Sequence, residues 1–137
     1  MFRHVGIVVN DLDKMIWFYH ELIGLEIIYD KIEKGKFLNH ILGSNNKSPR
    51  IIKLGKNNKT IVELLYFQDC KINKKNLFEN GYTHFALTIE DSDSLHDKLI
   101  KNNLPVINTP IVSDERTVKV FFGMDPENNI IEFVELL

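Results

Sequence analysis

Apolar residues follow a two-residue rhythm in some stretches of this chain and a helical rhythm in others, and the order of the two runs twice. Residues 2–9 (FRHVGIVV) are β-branched and apolar, which predicts a strand. Asn10 or Asp11 can cap a helix whose apolar positions are Leu12, Met15, Ile16, Phe18, Tyr19, Leu22 and Ile23, close to a 3.6-residue period. Gly24 is a suitable stop. Residues 25–30 (LEIIYD) read as a strand, and the polar stretch 31–48 as a loop or a short helix. Strands are expected at 50–54 and 60–67, joined through the turn residues GKNNK. After a connector at 68–81, with a helical signal around Lys75–Glu79, the pattern repeats. It gives a strand at 82–89, a helix near 92–102, an extended segment at 104–112 broken by Pro105 and Pro110, and strands at 117–122 and 129–136 around the turn DPENN.

The repetition extends to individual residues. HVGIVVNDLD (4–13) matches HFALTIEDSD (84–93), each running from His through an apolar stretch to Asp-x-Asp. TIVELLYF (60–67) matches NIIEFVEL (129–136) and pairs Glu63 with Glu132. The predicted fold is therefore α+β, with two strand–helix–three-strand modules in one domain. Module one covers about 1–67, the connector 68–81 and module two 82–137.

Strand alternation assigns the faces. His4 shares its face with Gly6 and Val8, and His84 shares its face with Ala86 and Thr88. The opposite faces carry Ile7, Val9, Leu87 and Ile89, suited to packing under helices. A carboxylate within an apolar strand is costly to bury unless it is paired or bound to metal. A lone histidine or glutamate in a strand is more often a packing or surface residue than a ligand. Four matched positions in two half-chains favour a metal site built from His4, Glu63, His84 and Glu132. His20, His40 and His96 have no repeat partners and read as surface residues, and Glu135 reads as solvent-exposed.

The bulk numbers narrow the partners. With 44% hydrophobic and 26% charged residues among 137, the chain is an ordinary globular domain. Its 17 basic and 19 acidic residues leave no excess of positive charge to attract nucleic acid or a membrane surface. Cys70 is the single cysteine, so an intrachain disulfide and a Cys-rich zinc site are both excluded. No stretch resembles a signal peptide or a membrane span, and a soluble cytoplasmic protein is expected.

The phrases HVGIVVNDLDKMIWFYHELIGLEII, YTHFALTIEDSD and FFGMDPENNIIEFVE resemble the vicinal oxygen chelate superfamily. That group includes glyoxalase I, methylmalonyl-CoA epimerase, extradiol dioxygenases, and fosfomycin and bleomycin resistance proteins. The resemblance implies paired modules whose sheets curl around a metal cavity, with His4, Glu63, His84 and Glu132 as ligands. A carboxylate at all four-ligand positions not held by histidine points to glyoxalase I or the epimerase rather than to the two-His, one-carboxylate members. Both move a proton next to a carbonyl. By the same resemblance Glu132 is the first choice for the base and Glu63 the second. The cofactor expected is one divalent ion, with zinc, nickel, cobalt, manganese and iron equally admitted.

Glutathione-dependent glyoxalase I usually has an arginine where this chain has Val8 and an asparagine where it has Phe67. The substrate expected is thus a small α-oxo or α-hydroxy compound that is not a glutathione conjugate. Many epimerases have a histidine where this chain has Thr83; for a coenzyme A substrate, Arg50, Arg116 and Lys119 are the candidate phosphate contacts. A non-catalytic binding or resistance protein is the reading from another class. A homodimer is expected from the resemblance and from base rate.

Overall fold

The computed structural model describes residues 2–44, 47–68, 70, 78 and 80–137. The chain divides into two compact units, Met1–Ile72 and Asn73–Leu137. Unit one contains strand β1 (Val5–Val9), helix α1 (Leu12–Ile16), strand β2 (Glu26–Ile32), helix α2 (Lys36–Leu42) and strands β3 (Arg50–Lys56) and β4 (Lys59–Tyr66). Unit two contains β5 (His84–Ile89), α3 (Ser92–Lys101), β6 (Ile111–Val112), β7 (Val118–Met124) and β8 (Ile130–Leu136). The helix expected around Lys75–Glu79 falls outside the described residues, Phe78 apart. No helix among the described residues is long and apolar enough to cross a membrane.

Each unit folds into an open four-stranded sheet, in the order β1-β4-β3-β2 in one and β5-β8-β7-β6 in the other. The first strand of each unit runs parallel to the last, and the remaining pairs are antiparallel. The α+β class and the doubled strand–helix–three-strand order follow the sequence pattern, and α2 is added within the polar stretch of unit one.

The repeated Asp-x-Asp has a local cause. Asp11 caps α1 by accepting from the Lys14 amide at 3.2 Å, and Asp91 caps α3 by accepting from the Ser94 amide at 2.9 Å. Asp13 and Asp93 then place negative charge in each first turn, where the helix dipole favours it. The first helix widens after Ile16 into a π-helical stretch, Trp17–Leu22, and Gly24 ends it at φ 84°.

The helix-side faces are the cores. In unit one Val9, Met15, Phe18, Tyr19, Ile52, Leu54, Val62 and Leu64 are fully buried. In unit two Leu99, Phe121, Ile131 and Phe133 are, with Phe121 stacked on Phe133 at 4.9 Å. His96 joins this core: it is 9% exposed and meets the Phe121 ring edge-on at 5.5 Å. The surface position expected for it is corrected by the α3 face on which it lies.

Two glycines set close approaches. A Cβ on Gly123 would lie 2.9 Å from Leu99 Cδ1, so this position lets α3 settle on β7. A Cβ on Gly55 would lie 1.8 Å from the Lys59 carbonyl oxygen. Gly55 stands where the β3–β4 hairpin changes register. Asn57 and Asn58 form its two-residue turn with positive φ at both, the type I′ geometry that suits a hairpin.

Candidate functional site

The alternation that buries Ile7 and Val9 leaves the other face of β1 open, with Gly6 and Val8 exposed. In the same way β5 buries Leu87 and exposes His84, Ala86 and Thr88. Pairing then brings a glutamate beside each open strand. Gly6 stands opposite Glu63, and Ala86 opposite Glu132. Both neighbours are small, so each carboxylate has space along the sheet.

Within unit one, His4 Nε2 lies 3.3 Å from Glu63 Oε2. Within unit two, His84 Nε2 lies 3.7 Å from Glu132 Oε2. Nitrogen and oxygen donors about 2.1 Å from one ion stand about 3.0 Å apart at a right angle and about 3.4 Å apart at a tetrahedral one. The His4–Glu63 spacing of 3.3 Å falls in that range and the His84–Glu132 spacing of 3.7 Å exceeds its upper end by about 0.3 Å, while the imidazole–carboxylate chemistry suits a borderline metal. Among the described residues no group of three or more His, Cys, Asp or Glu side chains is close enough to hold an ion. What each unit provides is a pair.

The two histidines differ in their support. Thr83 Oγ1 lies 2.9 Å from His84 Nδ1, and the Phe122 ring meets the imidazole edge-on at 5.1 Å. A partner on one ring nitrogen orients the other, and here that directs Nε2 toward Glu132. His4 Nδ1 is buried and has no hydrogen-bond partner among the described residues.

The glutamates differ as well. In unit one a row of four paired residues crosses the whole sheet: Gly6, Glu63, Lys53 and Tyr29. Lys53 Nζ lies 3.4 Å from Glu63 Oε1 and 5.1 Å from the centre of the Tyr29 ring. The matching row in unit two is Ala86, Glu132 and Phe122. An ammonium thus flanks Glu63 where an aromatic ring flanks Glu132. Lys53, Tyr29 and Phe122 stand outside the repeated His and Glu phrases of the sequence. Their signal was the hairpin register, which no local pattern reveals.

The expected phosphate contacts stand elsewhere. Arg50 donates to Asp30 twice, Nε to Oδ1 at 2.8 Å and Nη2 to Oδ2 at 2.7 Å. This bidentate pair holds the Asp30 carboxyl below its usual range and raises the guanidinium. Arg50 has the face parity of the buried Ile52, opposite to that of Glu63. Lys119 is paired with Asp93, which raises its ammonium pKa, and it has the parity of the buried Phe121, opposite to that of Glu132. Arg116 is exposed in the turn before β7 at φ 57°. Alternation thus places Arg50 and Lys119 on the faces opposite Glu63 and Glu132, and each is paired with a carboxylate. Phe67 is half-buried just beyond β4, on the parity of Glu63.

Glu135, expected in solvent, is also tethered. Its Oε2 accepts from Ser92 Oγ at 2.5 Å and from the Ser92 amide at 2.8 Å, which holds the carboxyl below its ordinary value and ties β8 to the start of α3. Cys70 Sγ donates to the Phe67 carbonyl at 3.3 Å.

Comparison with known proteins extends these observations. The sequence model of the Glyoxalase/Bleomycin resistance protein/Dioxygenase superfamily matches residues 2–133. A probable lactoylglutathione lyase of Synechocystis is 28% identical over 133 residues, covering 96% of this chain and 92% of that protein. A lactoylglutathione lyase of Schizosaccharomyces pombe is 26% identical over 98% of this chain, which spans only 44% of that longer protein. The crystal structure of a glyoxalase family protein from Bacillus cereus superposes with a TM-score of 0.87 at 23% identity, covering 99% of this chain and 93% of the other.

Proposed function

The chain belongs to the glyoxalase/bleomycin resistance protein/dioxygenase superfamily, and from that premise we propose that it is a metal-dependent lyase or isomerase of the glyoxalase I type. Its substrate would be a small α-oxo or α-hydroxy carbonyl compound, and its reaction a proton transfer next to the carbonyl. The observation that carries this reading is the doubled His–Glu pair, 3.3 Å in one unit and 3.7 Å in the other, each on the open face of its sheet. Packing gives no reason for the same two residue types to recur at both places.

In this reading His4, Glu63, His84 and Glu132 are ligands of a divalent ion. When bound, the ion polarises the substrate oxygens and stabilises the negative charge that develops as the proton leaves. Glu132 is the proposed base, with Glu63 the second candidate. Lys53 already engages Oε1 of Glu63, whereas the partner of Glu132 among the described residues is the His84 imidazole. A base needs a free lone pair aimed at the substrate. Thr83 keeps the His84 ring oriented beside it.

The two lyases among the relatives support the lyase side of the proposal. Val8 and Phe67 argue for a substrate other than a glutathione conjugate. Val8 is 53% exposed on the open face and offers no charge to a glutathione carboxylate.

Metal content and proton exchange test the proposal together. After supplementation with zinc, nickel or cobalt and desalting, elemental analysis should find a divalent ion bound to the protein. In D2O with that ion, hemithioacetals of methylglyoxal should exchange the substrate proton, and the adduct of mercaptoacetate, a small thiol that carries a carboxylate, should react at least as well as the glutathione adduct. Glu132→Gln should lower the rate by about a hundredfold or more. A preparation that binds no divalent ion after supplementation refutes the enzymatic reading, and full exchange by Glu132→Gln refutes the assignment of the base.

A further inference from the structure

The open face of unit one carries more positive charge than a metal pair needs. Lys53 sits between Glu63 and Tyr29, one strand over on each side, with its ammonium within 3.4 Å of one and 5.1 Å of the other. Lys31 shares the face parity of Tyr29 on β2, and its ammonium lies 5.5 Å from the same ring. Lys31 has no carboxylate partner among the described residues. Two ammonium groups therefore lie near one aromatic ring, and one of them, that of Lys53, is paired with Glu63.

Unit two has the same strand order, yet at the position of Lys53 it has Phe122. The fold therefore does not require a charge at this place. Nor is Lys53 sealed into the structure, since its side chain is 34% exposed. An ammonium has three donors, and the contact with Glu63 uses one at long range. The Tyr29 ring holds the lysine stem and head in place through its negative face. The result is a positioned, accessible cation next to the His4–Glu63 pair.

We propose that Lys53, steadied by Tyr29 and assisted by Lys31, is an oxyanion subsite that selects substrates bearing a carboxylate. This deepens the functional reading above and rests on it for the identity of the substrate, whose reacting oxygens would lie at the His–Glu pair. The acidic group would then meet Lys53 on the neighbouring strand. A point charge on a flexible stem suits this task, because it fixes the sign of the ligand without demanding a bidentate geometry.

Two probes of similar size separate the possibilities: pyruvate, which has a carboxylate, and hydroxyacetone, which has vicinal oxygens and no charge. Each is titrated into the ¹⁵N-labelled full chain, metal-free and zinc-loaded, and followed by amide shifts in β2, β3 and β4. Pyruvate should bind about tenfold more tightly than hydroxyacetone, as a charge-assisted contact implies, and 0.5 M salt should reduce the difference. Lys53→Gln should remove the preference and Lys53→Arg should retain most of it, with melting curves of both variants confirming that they fold. Equal affinity for the two probes, or a preference that survives Lys53→Gln, overturns the subsite. A preference that depends on Lys53 in a protein that binds no divalent ion upholds the subsite and refutes the metal reading, so the two failures are distinct.

Discussion

Replacing Gly55 by alanine should damage the fold and disconnect Lys53 from Glu63. The added Cβ would fall 1.8 Å from the Lys59 carbonyl oxygen and 2.8 Å from its carbon, with Ile28 Cδ1 at 3.1 Å. The obstacle is backbone, so no rotamer change relieves it. Since real Cβ contacts essentially never fall below 3.0 Å, the two strands must separate by about 1.2 Å (3.0 − 1.8). That opens the pairing of Gly55 with Thr60 and of Lys56 with Lys59. Two ladder hydrogen bonds at about 1 kcal/mol each, together with strain of at least about 1 kcal/mol, give a loss of about 3 kcal/mol. For a chain of this size that lowers the melting temperature by about 9 °C.

The same change bears on the candidate site, because Gly55 sits at a register shift. The pairs Lys56–Lys59 and Gly55–Thr60 close the hairpin tip, but Leu54 pairs with Val62 and Lys53 with Glu63. One extra residue on β4 is accommodated at that step, as in a β-bulge. Without it Lys53 would stand opposite Val62, and Glu63 opposite Ile52. Calorimetry measures the stability, and cross-strand nuclear Overhauser contacts between Lys53 and Glu63 measure the register. A melting temperature within about 2 °C of the parent, with the Lys53–Glu63 contacts intact, would refute the reasoning.

Two further outcomes follow from the tethers of α3. Glu135 is held below its ordinary carboxylate value by the Ser92 hydroxyl and amide. A depressed folded-state value means that its stabilisation is complete above the ordinary carboxylate pKa of 4.5 and disappears as pH falls through the lower folded value. Ser92→Ala should therefore lower stability at neutral pH and matter progressively less on acidification; an equal deficit at neutral pH and well below pH 4.5 would contradict this. Asp91→Ala removes the cap on the Ser94 amide and should cost about 1 kcal/mol in urea denaturation with an unchanged m-value. Asp91→Asn, which can still accept, should recover most of that loss.

Much of the candidate site is legible before folding because it depends on local periodicity. His4 and His84 head repeated strand phrases whose alternation separates a buried face from an open one, and that separation is present in both units. Asp11 and Asp91 are readable as caps for the same reason, since a cap acts within three residues. Side chains whose partners are distant in sequence were not readable. Glu135 and His96 looked like surface residues because Ser92 and Phe121 lie on other elements. Arg50 and Lys119 are paired with Asp30 and Asp93, which lie on other elements.

The sequence by itself determined that the chain has two equivalent strand–helix–three-strand halves and that each half presents a histidine and a glutamate from its first and last strands. Side-chain alternation and helix periodicity are properties of neighbouring residues, so they survive without any knowledge of the fold. Only the tertiary structure decided what stands beside each glutamate. Strand register depends on the geometry of the turn and on a one-residue shift at Gly55, and a slip of one position exchanges the two faces of a strand. That shift sets Lys53 against Glu63, while the unshifted β7–β8 pairing sets Phe122 against Glu132. The two halves are thus alike in the residues a repeat can reveal and different in the residue that lies across the hairpin.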